Sequence, residues 1–238
     1  MRIALIGYGK MGKAIEETAI QRGHEIVIKI DQPNLHEFTK ANMASADVAI
    51  EFTGPRTAAQ NVKNCLAFDI PVVCGSTGWT EQLGELKRLA GERNGGFVYS
   101  SNYSVGVNIF FEVNKRLAAL MASHSDYEVI LEETHHTQKI DAPSGTAITL
   151  AEQVLQQVTR KKQWVNELSD DPEDLEIISQ RVDPAPGTHS IRYSSAIDTI
   201  EIIHTAHNRQ GFATGAVLAA EFIKDRKGFF TMGDVLGL

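Results

Sequence analysis

The residues with the most chemistry lie close together, in the stretch EETHHTQKIDAPSGTA from Glu132 to Ala147. It holds two adjacent histidines, a lysine, an aspartate and a Pro-Ser-Gly-Thr turn. His135 and Lys139 are four apart, so they share a face in an extended run or in a helix, while His136 points to another face. Imidazole and ammonium groups are readily tuned for proton transfer near neutral pH. The apolar, β-branched run Tyr127–Leu131 is expected as a strand. Ala147, Ile148, Leu150, Ala151, Val154, Leu155 and Val158 recur at helical spacing, predicting a helix to about Arg160. Ser144 is placed as its N-cap, and the Gly145 and Thr146 amides stand at the positive end of its dipole. A strand end, a polar loop and a helix start thus make a seat for a small anion. A carboxylate would rest on the Gly145–Thr146 amides, with Lys139 or His136 holding further negative charge. Adjacent histidines are ordinarily surface or core residues, but strand ends are where sites form.

The elements that must position this loop fit an ordinary globular chain. Its 238 residues are 42% hydrophobic and 22% charged, which argues against disorder. No apolar run approaches a membrane span. The net charge of −7 disfavours nucleic acid or an anionic membrane as the main partner. Two cysteines, Cys65 and Cys74, make no disulfide framework and show no metal spacing, so a reducing, cytoplasmic setting is expected. Cys74 is read as a buried strand residue without a redox role.

The N-terminus reads as a strand, Arg2–Ile6, running into Gly7-Tyr8-Gly9-Lys10-Met11-Gly12. A lone G-x-G-x-x-G is weak, but here a helix (Met11–Gln21), a glycine stop at Gly23 and a second strand (Glu25–Ile30) follow in order. Asp31 stands nineteen residues beyond Gly12, near the spacing of the acid that bonds an adenosine ribose. In such a unit Gly7 permits the tight turn, Gly9 lets the backbone approach a pyrophosphate and Gly12 lets helix and strand pack closely. The alternation continues: strands at Asp47–Phe52, Pro71–Cys74 and Gly96–Tyr99, helices at Thr57–Phe68 and Glu81–Arg93. Small turns, Thr53-Gly54-Pro55 and Gly75-Ser76-Thr77-Gly78, follow the strands. A doubly wound parallel sheet is expected, with ligands beyond the carboxyl ends of its strands.

Ser100–Asn108 is read as a polar connection between domains, followed by a helix at Ile109–Met121. The acid-rich run Glu167–Glu176 is read as a solvated loop, within an irregular stretch from Lys161 to Asp183 that carries one short strand near Ile177–Val182. Strands at His189–Ser195 and Asp198–His204, a helix at Phe212–Lys224 and a short tail at Thr231–Leu238 complete the chain. The expected fold is α/β: a Rossmann-type dinucleotide-binding domain (1–102 with 208–238) and an inserted α+β domain (103–207). His204-x-x-His207, His135-His136 and His189 raise a metal site as a rival, but no carboxylate or cysteine sits at a matching interval, and none is expected.

Glu133-Thr134-His135-His136, Lys139 and Asp141–Ala147 resemble the signature E-x-H-H-x-x-K-x-D-A-P-S-G-T-A of the 4-hydroxy-tetrahydrodipicolinate (dihydrodipicolinate) reductase family. Ser104–Asn108 resembles its S-V-G-V-N, Gly187-Thr188-His189 its G-x-H, and Phe212–Val217 its F-A-x-G-A-V, so the resemblance runs almost end to end. It implies an oxidoreductase of the diaminopimelate route to lysine. Hydride would pass from NADH or NADPH to a cyclic imine dicarboxylate, followed by protonation, in a homotetramer built on the inserted domain. It implies His135 as acid/base, Lys139 as proton donor, and His136, Lys139 and the Ser144-Gly145-Thr146 turn as the carboxylate seat. Cofactor contacts would fall on Gly7, Tyr8, Gly9, Lys10, Met11, Gly12, Asp31, Gly75, Ser76, Thr77, Ser100, Ser101, Asn102, Tyr103, Arg209 and Phe212. Where family members often carry a basic residue after the ribose-binding acid, this chain has Gln32. That tilts the expectation mildly to NADH, with Lys10 or Lys29 able to compensate. The alternatives are another Rossmann-fold dehydrogenase for a small carboxylated substrate, or a nicotinamide-sensing module without turnover.

Overall fold

The computed structural model describes residues 1–238. In chain order the elements are β1 (Arg2–Ile6), α1 (Lys10–Gln21), β2 (Glu25–Ile30), α2 (Lys40–Met43), β3 (Val48–Glu51), α3 (Ala58–Ala67), β4 (Val72–Cys74), α4 (Leu83–Glu92) and β5 (Gly96–Tyr99). Then come α5 (Val105–Met121), β6 (Glu128–His135), α6 (Gly145–Gln157), β7 (Gln163–Val165), β8 (Asp174–Arg181), β9 (Thr188–Ser194), β10 (Thr199–Thr205), α7 (Gln210–Ile223), β11 (Gly228–Phe230) and α8 (Met232–Leu236). Short 3-10 turns occupy Gln32–Glu37 and Thr80–Gln82. The chain divides into two compact units, Met1–Val105 with Arg209–Leu238, and Gly106–Asn208.

The first unit is a six-stranded sheet in the order β11-β5-β4-β3-β1-β2, parallel at every pairing. Its strands are apolar on both faces because both faces are covered. Ala4, Ile6, Ala49, Val72 and Phe97 pack with Val62, Leu66 and Leu86 from α3 and α4. Ile3, Leu5, Ile50, Val73 and Val98 pack on the other side with Ile15 and Ala19 of α1 and Val217 and Ala220 of α7. The glycine turn is a steric necessity. Gly7 has φ +92°, and a Cβ there would lie 2.3 Å from the Phe52 carbonyl oxygen. One on Gly12 would lie 2.3 Å from the Gly7 carbonyl oxygen.

The second unit is a mixed sheet in the order β10-β9-β6-β8-β7, with β6 antiparallel to β9 and parallel to β8. Helices α5 and α6 cover one face through Phe110, Ala118, Leu150 and Val154, against Val129, Leu131, Ile177 and Ile191. Along β6 burial alternates strictly, so Glu133 and His135 fall on the same inward face as Val129 and Leu131. No helix is long and apolar enough to cross a membrane.

Several sequence expectations need correction. The strand expected at Tyr127–Leu131 runs on to His135, because its period-two burial continues through polar residues. Helix α5 begins at Val105, so the last four residues of the expected connection at 100–108 are helical, and α6 stops at Gln157. The stretch 161–183 is ordered as β7 and β8, and the acid-rich run is not all loop: Asp174 opens β8 and Leu175 is fully buried. Lys161 supports it by donating to the Pro172 carbonyl (2.9 Å) and pairing with Glu128 (2.8 Å). The C-terminal stretch contributes β11 to the parallel sheet and α8, whose Met232 is buried in the core. Tyr103 belongs to the core of the first unit rather than to the second.

Candidate functional site

In the second unit, β6, β8, β9 and the start of α6 converge on one carboxylate. Glu133 is 1% exposed. Its oxygens accept from the Ser144 amide (3.0 and 3.2 Å), the Ser179 hydroxyl (2.8 Å) and Arg181 Nη2 (3.2 Å). His135 Nδ1 lies 3.5 Å and His189 Nε2 3.6 Å from its second oxygen. Ser144 caps α6, accepting from the Ala147 amide, and its hydroxyl meets His189 Nε2 at 3.1 Å. A Cβ on Gly145 would meet nothing within 4 Å, so the helix start is open there. Lys139 follows a tight turn, its amide donating to the His136 carbonyl. Its ammonium pairs with both Asp141 oxygens at 2.7 Å. The shared face expected for His135 and Lys139 is therefore not seen. His135 points inward from the strand end, and Lys139 stands on a loop that is neither extended nor helical. His136 is half-buried.

Burial pushes the His135 imidazole down to about 4, with His189, Lys139 and Arg181 acting the same way against the raising pull of Glu133. Burial would raise the Glu133 carboxyl, but its contacts with His189, Ser144 and Ser179 hold it well below the usual carboxylate range. Both shifts favour the unprotonated forms in the folded chain. Unfolded His135 would take a proton near 6.5 and unfolded Glu133 near 4.5, so stability rises with pH across about 4 to 6.5 and is lost as pH falls through that window. The melting temperature is expected to drop between pH 7 and pH 4.5, and to drop less in His135→Gln. Equal pH dependence in the two proteins would contradict this.

Glu133, His135 and His189 also offer ligand atoms within 4.8 Å of one another, a set invisible to sequence spacing because His189 comes from β9. The Glu133 oxygens already serve Arg181, Ser144 and Ser179, and a dication would have to enter beside the guanidinium. The donor set suits a proton better than a metal.

In the first unit, a cavity of about 360 Å³ is lined by Gly7, Tyr8, Gly9, Asp31, Gln32, Leu35 and the Thr53–Thr57 loop. A Cβ on Gly9, at the N-terminus of α1, would meet nothing, which leaves room for a phosphate at the helix start. The Asp31 carboxylate accepts from the Gln32 amide (2.8 Å) and the Tyr8 amide (3.2 Å), tying the β2 end to the glycine turn. Lys29 is paired with Glu16 at 2.6 Å and lies over the Tyr8 ring, outside the residues lining this cavity. Lys10 is the exposed first residue of α1, outside the residues lining this cavity. Arg56, which the sequence reading passed over, is the cation that does line it.

A second cavity, of about 330 Å³, is lined by Met11, Phe52, Thr53 and Gly75-Ser76-Thr77. Beneath the Thr53 turn lies Glu51, fully buried, which accepts from the Thr53 amide (3.0 Å) and hydroxyl, Cys74 Sγ (3.0 Å) and Asn61 (3.4 Å). Cys74 ends β4 beside Tyr99 of β5, so Gly75–Thr77 and Ser100–Tyr103 leave neighbouring strand ends. The Ser100 hydroxyl donates to the Asn102 carbonyl and accepts from the Asn102 amide; Ser101 is exposed. Tyr103 is 2% exposed and donates to the Cys74 carbonyl, so its ring is core and not a contact surface. Arg209 precedes α7, whose Gly211 comes close to Ser104, and Phe212 is half-buried.

A parallel sheet with a glycine-lined helix start and an acid at the next strand end, carrying an inserted α+β unit, defines a Rossmann-type dinucleotide-binding protein of two units. The chain belongs to the dihydrodipicolinate reductase family: the family models for its N-terminus and C-terminus match residues 1–103 and 106–236. It is 48% identical over 236 residues to the 4-hydroxy-tetrahydrodipicolinate reductase of Christiangramia forsetii, covering 99% of this chain and 98% of the relative. It is 34% identical to the enzyme of the same name from Alkalilimnicola ehrlichii, covering 100% of this chain and 99% of that one. Among solved structures, dipicolinate-bound dihydrodipicolinate reductase from Paenisporosarcina sp. TG-14 matches with a TM-score of 0.77 at 23% identity, covering 97% of each chain.

Proposed function

We propose that this chain reduces 4-hydroxy-tetrahydrodipicolinate to tetrahydrodipicolinate with a reduced nicotinamide, in the diaminopimelate route to lysine. The observation that carries the reading is the loop 135–146. It gathers an imidazole, an ammonium and a capped helix start in a chain nearly half identical to a reductase of that name. The substrate is a six-membered cyclic imine with two carboxylates. One carboxylate sits at the Gly145–Thr146 start of α6, where the helix dipole favours negative charge. Lys139, drawn from Asp141, and His136 hold the other.

The substrate first loses water, its C4 hydroxyl leaving with a C5 proton to give a conjugated C4=C5–C6=N system. A bound reduced nicotinamide would supply hydride to C4, and the enamine so formed takes one proton at C5, which restores the C=N bond. His135 is neutral at pH 7, since burial holds it near 4. Lys139 is therefore the proton source, and His135 accepts and returns protons at its ring nitrogen. The nucleotide is held by Gly7–Gly12 at its pyrophosphate and by Asp31 at its ribose. Gly75–Thr77, the backbone of Ser100–Tyr103, and the Arg209–Phe212 start of α7 complete its binding. The Asp31 carboxylate without a following cation, and the engagement of Lys29, favour NADH over NADPH. The chain works as a homotetramer in the cytoplasm; the apolar exposure of Ile200 and Ile203 on the edge strand β10 supports burial against further copies.

The test is oxidation of NADH on addition of freshly made condensation product of pyruvate and aspartate semialdehyde. Turnover with that imine, and none with sugars or amino acids, is expected. Oxidation with those other substrates alone would transfer the chain to a different dehydrogenase reaction.

A further inference from the structure

The substrate loop is held by two residues that the proposed chemistry does not use. Glu133 carries a charge in a site it shares with little water, which costs free energy unless its partners repay it. Its partners are all parts of the proposed site. It accepts from the Ser144 amide at the start of α6 and from Ser179 and Arg181 on β8, and it faces His135 on its own strand and His189 on β9. Arg181 extends the same device into the loop. It donates to the Asp141 carbonyl (2.6 Å) and the Lys139 carbonyl (3.4 Å), on either side of the fully exposed Ile140. Apart from these bonds, the Thr137–Asp183 contact at 2.6 Å ties the loop to the chain after β8.

The ring of His135 is oriented from two sides. Its Nδ1 is buried without a hydrogen-bonded partner and has the Glu133 carboxylate at 3.5 Å. Its Nε2 faces Gly187, where φ is +154° and a Cβ would lie 3.0 Å away. An ionised carboxylate only accepts, so the proton on a neutral His135 belongs on Nδ1, leaving the Nε2 lone pair for chemistry. Catalytic hydrogen bonds are often long before substrate arrives and tighten in the complex.

We propose that Glu133 and Arg181 are positioning residues for the reduction: Glu133 selects the Nδ1–H tautomer of His135 and anchors the start of α6, while Arg181 holds the 139–141 backbone so that Lys139 meets the substrate carboxylate. The two are joined by the Arg181 Nη2–Glu133 bond (3.2 Å) but act at different ends of the site. Glu133 governs proton transfer and so kcat; Arg181 governs the seat and so KM for the dicarboxylate. The proposal rests on the reductase reading for its kinetic arm only. The charged and titratable groups around Glu133 are His135, His189, Arg181, Lys139 and Asp141; an isosteric Glu133→Gln keeps all five side chains and the packing while removing the charge that His135 and Arg181 face.

The experiment pairs long-range ¹H–¹⁵N spectra of the histidine rings, recorded without substrate, with steady-state kinetics. Wild-type His135 is expected as the Nδ1–H tautomer, shifting toward Nε2–H in Glu133→Gln, because an amide nitrogen can donate where the carboxylate cannot. Glu133→Gln should lower kcat about tenfold or more with KM for NADH within about twofold. Arg181→Lys should raise KM for the imine about tenfold, with kcat within about threefold and no change of tautomer at His135. An Nε2–H tautomer in the wild type, or a Glu133→Gln enzyme with kcat/KM within about twofold of wild type, overturns the proposal. If Glu133→Gln does not fold, the wild-type spectrum and Arg181→Lys decide it. A wild type that binds NADH but leaves the imine unreduced would instead defeat the reductase reading, and the tautomer result would stand by itself.

Discussion

Lys139→Ala is expected to lower kcat for the imine by about a hundredfold or more, the usual loss when a general acid is removed. The effect should appear with little loss of stability, because Lys139 lies on a loop and its one ion pair is to Asp141, an exposed partner. Lys139→Arg separates the two duties given to this residue. A guanidinium holds a carboxylate but does not release a proton, so KM should stay near the wild-type value while kcat falls about as far as in the alanine variant. His135→Ala should cost a similar factor in kcat. It also leaves Glu133 and His189 facing a void, so some loss of melting temperature is expected with it. Steady-state kinetics on the three variants, with NADH affinity measured separately by fluorescence, check these outcomes. Near-normal kcat in both alanine variants would remove the loop from the chemistry.

The second large effect concerns the nucleotide. NADH should be used with a higher kcat/KM than NADPH, by about tenfold or more, because a 2′-phosphate placed beside the Asp31 carboxylate meets like charge with no cation next to it in sequence. Asp31→Ala should shrink the ratio by weakening NADH and relieving NADPH together. Arg56 is the cation on the wall of that cavity, so Arg56→Ala should lower the remaining NADPH activity more than the NADH activity. Equal use of the two nucleotides by wild type, unchanged by Asp31→Ala, would contradict the assignment of that carboxylate to the ribose.

The parallel sheet was legible because its signals are local. The glycine turn, the acid after β2 and the alternation of apolar strands with periodic helices each occupy a short window. The capped start of α6 was legible for the same reason, since Ser144 and the apolar spacing after it are neighbours in sequence. What stayed hidden was carried by partners far apart in the chain. The strand β8 looked irregular because its order comes from parallel pairing with β6, far earlier in the chain, while Gln163 and Ser169 bond the Asp174 carboxylate at its acidic beginning. The strand β11 is three residues long and owes its place to pairing with β5. At the site, Glu133 stands two residues before His135, and nothing in its own spacing marks it as the centre of a network. That it collects Ser179, Arg181 and His189 follows from the β6–β8 and β6–β9 registers, which no single strand discloses, and Ser144 joins them from the start of α6. The exposed look of a His-His pair was equally misleading, because continuing the strand by four residues turned His135 into the core.

The central claim is that hydride carried by a nucleotide on the glycine-turn sheet ends on the ring held by the 135–146 loop. It is tested most directly by mixing NADH deuterated at the transferring C4 position with the imine and weighing the product. The account predicts a product one mass unit heavier, formed in step with nucleotide oxidation and suppressed by dipicolinate as a competing flat dicarboxylate. Nucleotide oxidation that leaves the product unlabelled, or that dipicolinate does not affect, would contradict it.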